Sequence, residues 1–208
     1  MFVVRFHDGL QINIKMIKSK SLKQIEEKLK LHHSLYRFPV KAELWEDIFD
    51  QSINGMCSNW NVGGHDVGTD VICESVGTKY QNKSGDINLK KGTIVWSGHR
   101  TTSHKTIEDK IKFISKKHCD EYVMLGRNKK EWNTGNKSYY FIHFDASKID
   151  YSKLKWSETY SKTGKLTGWV GVNDKLPYSA KISLSMSAQL WTECSIDYLE
   201  NIKKITIL

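Results

Sequence analysis

Apolar residues recur at helical spacing in three stretches of this chain and on alternate positions in several others. Leu22, Ile25 and Leu29 follow Ser21 and Gln24, a capping-box pair, and predict a helix over about 21–32. Beyond Pro39, the positions Leu44, Trp45, Ile48, Phe49 and Ile53 predict a second amphipathic helix over about 41–56. A third follows Thr106, which has Asp109 in place for a cap and Ile107, Ile111 and Ile114 on one face. Strand patterns cover about 70–74, 78–83, 93–96, 122–125, 139–144 and 169–172. The longest alternation sets Ile182, Leu184, Met186, Ala188 and Leu190 against Lys181, Ser183, Ser185, Ser187 and Gln189, which predicts one long half-buried strand. Residues 1–17 read as a hairpin around Asp8-Gly9.

From the second helix onward the predicted order is helix, three strands, helix, strand. That order belongs to the α/β (α+β) class, a mixed sheet flanked by helices. A length of 208 residues suits a single domain, 1–208, with a core over about 41–145 and a β-rich C-terminal elaboration over about 146–208. A glycine-rich turn at 61–64 leads into the first of the three strands, and 161–164 reads as a loop.

Charge narrows the partner. Lys and Arg number 32 against 23 acids, a formal +9, which favours a polyanion, with nucleic acid first. The same balance also fits a Lys-, Asn- and Ile-rich proteome. At 39% hydrophobic the chain buries a core, and no apolar run is long enough for a membrane span. No secretory leader is visible. Cys57, Cys73, Cys119 and Cys194 form no Cys-x-x-Cys pair, so structural zinc is not expected and reduced thiols in a cytoplasmic protein are.

The densest chemistry lies in the first strand pair. Gly68-Thr69-Asp70-Val71-Ile72-Cys73-Glu74 is followed, after a short turn, by Lys79-Tyr80-Gln81-Asn82-Lys83-Ser84-Gly85. A hairpin brings Asp70 beside Gln81 and Lys83, and strand alternation puts Gln81 and Lys83 on one face. An acid, a second oxygen ligand and a lysine together suit a hard divalent cation and an activated water, as phosphodiester hydrolysis requires. Taken singly, such an Asp is as a rule a turn residue and such a Lys a solvated one. Asp66 fits a turn cap, and Glu74 shares the parity of Asp70. Glu43 and Glu46, on the preceding helix, either support the site from outside or belong to a solvated face.

The Asp…(Glu/Asp/Gln)-x-Lys arrangement resembles the active site of the PD-(D/E)XK nuclease superfamily, and within it the type II restriction endonucleases. Over about 66–104, Gly68-x-Asp70 ahead of Tyr80-Gln81-x-Lys83-Ser84 is similar to the PvuII-like hairpin, with Gln81 standing where a carboxylate is commoner. The resemblance implies an αβββαβ core. It implies Mg²⁺ on Asp70, the Gln81 amide oxygen and the Asn82 backbone carbonyl, with Lys83 orienting or deprotonating the attacking water. It also implies sequence-specific cutting of double-stranded DNA to 5′-phosphate and 3′-hydroxyl ends, by a homodimer that matches a palindromic site. Two other readings stand beside it: a repair or junction-resolving nuclease of the same superfamily, and a non-catalytic DNA-binding module with a degenerate site.

A second constellation, Ser97-Gly98-His99-Arg100-Thr101-Thr102-Ser103-His104-Lys105, lies between the third strand and the next helix. It is dense in hydrogen-bonding groups and nearly devoid of apolar side chains. The resemblance places a base-reading loop here, which makes His99, Arg100, Thr101, Thr102, Ser103, His104 and Lys105 DNA-binding candidates. Arg100 suits a guanine edge bidentately, and a histidine suits guanine N7 or O6. An ordinary polar loop with capping residues has the same composition. The Ser-rich face of 181–189, and Trp132 with Asn133 in the Lys-rich stretch 127–136, are weaker candidates for DNA contact.

Overall fold

The computed structural model describes residues 17–57, 69–74, 77–135, 137–199 and 201–207, with backbone alone at 55–57 and 129. The expected hairpin around Asp8-Gly9, the 61–64 turn, Asp66 and Gly68 lie outside the described residues.

Helix α1 (Ser19–Leu35) starts ahead of the expected capping box. Its N-cap is Lys18, with no side-chain cap, and Ser21 lies within the first turn. A capping serine needs extended backbone, and here helical backbone already runs through Ser19 and Lys20. Helix α2 (Ala42–Ile53) matches the expected pattern, burying Trp45, Ile48 and Phe49. It stops at Asn54, whose φ of 53° is the left-handed conformation that asparagine tolerates.

The strands are β1 (Gly55–Cys57), β2 (Val71–Cys73), β3 (Thr78–Asn88), β4 (Thr93–Arg100), β5 (Glu121–Arg127), β6 (Ser138–Asp145), β7 (Lys155–Tyr160), β8 (Leu166–Val172), β9 (Tyr178–Ser183), β10 (Gln189–Ser195) and β11 (Ile202–Thr206). They form one mixed sheet in the order β11-β6-β5-β3-β4-β10-β9-β8-β7, with the β1–β2 ribbon attached to β3. The only parallel pairing among them joins β3 to β5. A parallel neighbour needs a crossover, and α3 (Ile107–Ile114) supplies it. Thr106 caps α3 as expected, its hydroxyl accepting from the Asp109 N–H at 3.1 Å.

Because strand residues alternate, β3 and β5 feed two cores. Tyr80, Val123 and Leu125 pack with Ile25 and Leu29 of α1 and with Trp45 and Phe49 of α2. Ile87, Ile94, Trp96 and Met124 pack on the other face with Ile114 of α3 and, further along, Ile182 and Leu190. Each fully enclosed side chain contributes about 1.5–3 kcal/mol. Among the described residues no helix is long and apolar enough to cross a membrane.

Two predicted elements are corrected. The long strand over 181–190 is a hairpin: β9 ends at Ser183, Leu184–Met186 form a 3₁₀ turn, and Gln189 pairs back onto Ser183. Ser187 and Ala188, at φ 57° and 48°, make the reversal, so the alternation runs across a bend that a period-2 pattern cannot register. The stretch 127–136 is not simply a solvated loop. Lys129–Asn133 form the short helix α4, and the Trp132 indole donates to the Ser138 carbonyl at 3.0 Å while packing on Tyr139.

Candidate active site

β3 changes partners along one edge. Its residues Thr78 to Tyr80 pair with β2, and Gly85 to Asn88 pair with β4. Between these ladders lie Gln81, Asn82, Lys83 and Ser84, which pair with β5 on the opposite edge and, among the described residues, with no strand on this one. The site sits in this fork.

Asp70 directly precedes β2. Its N–H donates to the Tyr80 carbonyl at 2.9 Å, and the preceding Thr69 hydroxyl donates to the His118 carbonyl at 3.0 Å. With its backbone anchored, the Asp70 carboxylate reaches into the fork, where Oδ2 accepts the Asn82 N–H at 2.7 Å. Lys83 Nζ lies 3.8 Å from the same oxygen. Val71 and Tyr80 face the α2 core as a cross-strand pair, so alternation turns Asp70, Gln81 and Lys83 to the other face together. The fold thus brings together the three residues that the sequence offered as a set.

Burial gives the set its electrostatic character. Asp70 is 6% exposed and Gln81 4%. Among the described residues, no donor reaches Gln81 Oε1, and neither atom of the Asn82 side-chain amide has a partner. A buried polar group left unsatisfied costs about 1–3 kcal/mol. Several tryptophan N–H groups are also unpaired, but each is one donor on a large apolar ring, whereas Gln81 is an acceptor on the sheet face it shares with Asp70 and Lys83.

Glu46 of α2 joins this group. Burial, and then the Asp70 charge, push its carboxyl up to about 7, with Lys83 pulling the other way. The sequence left Glu46 between a supporting role and a solvated helix face, and it is a half-buried acid in electrostatic reach of Asp70 and Lys83. Two further neighbours were not singled out by their sequence. The Cys119 thiol, which burial pushes up to about 12, feels the Lys83 and Asp70 charges, and the phenol of the half-buried Tyr122, also raised by desolvation, feels Asp70. Glu74 ends the β2 side of the hairpin and is exposed.

The donor set fits a small hard cation. Asp70 supplies a carboxylate, Gln81 an unpartnered amide oxygen, and the Asn82 carbonyl lies on the strand edge to which its N–H points. Among the described residues no group of three or more His, Cys, Asp or Glu side chains has metal-holding geometry. A cation held here would need amide and carbonyl oxygen as well as carboxylate.

The second constellation is divided by the fold. β4 continues to Arg100, so Ser97 to Arg100 are strand, not loop. Between Ser97 and Arg100 it carries one residue more than β10, a bulge at Gly98-His99. The bulge turns His99 toward Phe113 and His118, with ring centroids 5.6 and 4.6 Å away. Burial, His118 and Lys83 lower its pKa to about 4, which keeps the imidazole neutral. Thr101 is fully buried and serves as a strut rather than an exposed reader. Arg100, Thr102, Ser103 and Lys105 are exposed, and His104 is half-buried, stacked on Phe113 at 4.4 Å.

No protein-family model matches the sequence, and no curated protein matches it.

Proposed function

We propose that this chain is a Mg²⁺-dependent endonuclease that cuts both strands of DNA at a specific sequence, a type II restriction enzyme of the PD-(D/E)XK kind. The observation that carries the reading is the fork in β3. Asp70 and Lys83 are 3.8 Å apart on one strand face, beside a buried Gln81 oxygen without a donor. The helix–strands–helix–strand order around the fork, α2, then β1 to β4, α3 and β5, with β1 additional to the three strands expected, the +9 charge and the exposed Arg100, Thr102, Ser103 and Lys105 support it.

Mg²⁺ held by Asp70, Gln81 Oε1 and the Asn82 carbonyl would supply positive charge at the scissile phosphate and acidify a water. Lys83 orients the attacking water and stabilises charge that builds on the phosphoryl oxygens. Asp70 holds the Lys83 ammonium in place and, through the Asn82 N–H, fixes the strand edge. Glu46, with its raised pKa, is an acid able to exchange a proton near neutrality beside this pair. The products are 5′-phosphate and 3′-hydroxyl ends, and two-fold symmetric target sites call for a homodimer.

A plasmid digest with Mg²⁺, with and without chelator, followed by end sequencing, tests the reading. Discrete fragments sharing one end sequence are the expected result. A metal-dependent smear would favour a repair-type or junction-resolving nuclease, and DNA retention without cutting would favour a non-catalytic binding module.

A further inference from the structure

The turn over 101–106, between β4 and α3, has almost no apolar side chain, yet it is fastened at its ends and from beneath. Thr101 donates both its N–H and its hydroxyl to the Ala188 carbonyl, at 3.0 and 2.7 Å, which ties the turn to the β9–β10 reversal. The His104 ring is stacked on Phe113. From beneath, Lys110 of α3 donates its ammonium to the carbonyl oxygens of Thr101, at 2.7 Å, and of His104.

Lys110 is only 4% exposed. Lysine is almost never that buried unless paired, and its hydrogen-bond partners here are carbonyls rather than a carboxylate. Desolvation holds its pKa below the ordinary lysine value. Packing alone would be better served by an apolar residue beside Ile107, Ile111 and Ile114. What an ammonium adds is a compact charge with several donors, able to pin two carbonyls of one tight turn. The pinned turn leaves Arg100, Thr102, Ser103 and Lys105 exposed along one edge.

We propose that Lys110 is a positioning residue for base recognition: its buried ammonium fixes the 101–106 turn so that the exposed edge meets DNA in one arrangement. The recognition part rests on the nuclease reading above; the pinning part does not. Base-edge hydrogen bonds demand placement to about 0.5 Å, whereas phosphate contacts fix register without reading sequence. A loosened turn therefore loses discrimination before it loses affinity.

Lys110→Met tests this, with Lys112→Met as the control that removes the same charge from an exposed position of the same helix. Amide hydrogen exchange is read at His104, whose N–H donates to the Thr101 carbonyl within the turn at 3.1 Å, and at Thr101, whose N–H anchors the turn to the Ala188 carbonyl at 3.0 Å. Protection there should fall at least tenfold in Lys110→Met, as expected for roughly one lost hydrogen bond of 1.4 kcal/mol or more, and stay unchanged in Lys112→Met. In digests, the ratio of cutting at the target over sites differing by one base should fall by about tenfold or more in Lys110→Met alone. Unchanged protection would overturn the pinning, whatever the digests show. Lost protection with unchanged site choice would overturn the recognition role. A wild-type protein that neither cuts nor retains DNA would sink the nuclease reading and the recognition role together, and leave the exchange result to decide the pinning. If Lys110→Met does not fold, Lys110→Leu, which likewise removes the donor, carries both measurements.

Discussion

Two neighbouring strands carry polar runs of similar make-up, and the fold treats them in opposite ways. In β3, Gln81, Asn82 and Lys83 occupy the fork between two ladders, and buried oxygen and nitrogen atoms there are left without partners. At the end of β4, the buried groups are paired: Thr101 gives both donors to Ala188, and Lys110 supplies the turn's carbonyls. Satisfied buried polar groups build scaffold. Unsatisfied ones cost stability, and under the proposed function those of β3, on the strand that carries Lys83, are kept for a ligand.

The hardest test of the contrast is catalytic. Lys83→Ala and Asp70→Asn should each lower DNA cutting by about 10²–10⁴ or more, while DNA retention in Ca²⁺ changes little. Asp70→Asn keeps an acceptor for the Asn82 N–H, so circular dichroism should report an intact fold. A folded Lys83→Ala protein that cuts normally would remove the fork from the chemistry.

Stability offers a sharper test, because the same kind of change should act with opposite sign on the two strands. Gln81→Leu removes an unpartnered amide oxygen and should stabilise the metal-free protein by about 1–3 kcal/mol, a rise in Tm of roughly 2–4 °C per kcal/mol. It should also abolish cutting. Thr101→Val removes a hydroxyl that is bonded at 2.7 Å and should destabilise by about 1 kcal/mol. Equal destabilisation by both would erase the distinction. Gln81→Glu should keep activity with a shifted Mg²⁺ or Mn²⁺ requirement, and an unchanged metal titration would mean that Gln81 is not a ligand.

Arg100 probes the exposed edge of β4. If it reads a guanine, Arg100→Ala should cost about 1–3 kcal/mol of discrimination against the wrong base. A lost phosphate contact would instead weaken all DNA alike and lower the salt slope by about one. Binding to both DNAs across a salt series in Ca²⁺ decides between them.

The smallest effect is the pH response of the fork. Glu46 holds its proton to about 7 in the folded, metal-free protein, against an ordinary 4.5. Its contribution to stability is therefore complete below pH 4.5 and is lost as pH rises through about 7. Thermal melts across this window should show a decline that Glu46→Gln flattens. A decline of the same size in Glu46→Gln would place the response elsewhere.

Local chemistry made much of the fork legible. Asp70, Gln81 and Lys83 needed only strand parity and a hairpin to be grouped, and both are short-range properties. The α2 helix was readable because Trp45, Ile48 and Phe49 repeat at helical spacing and are buried at that spacing. Glu46 was ambiguous because a helix surface position does not say what lies across from it; in the fold it is half-buried, within electrostatic reach of Asp70 and Lys83. The seven residues at 99–105 looked equivalent because composition does not distinguish a donor facing solvent from one facing a carbonyl.

By itself, the sequence determined the helices α1 to α3, the strands β2 to β6 and β8, and a group of side chains of the types that metal and phosphate chemistry uses, since these follow from periodicity and residue type. Only the tertiary structure decided that β3 would fork between two partners, that a bulge would turn His99 inward, that 181–190 would fold back as a hairpin, and that Lys110 would be buried beneath the turn. Each of these depends on which distant backbone comes alongside, and a pattern of alternating polarity is the same whether the strand runs on or turns back.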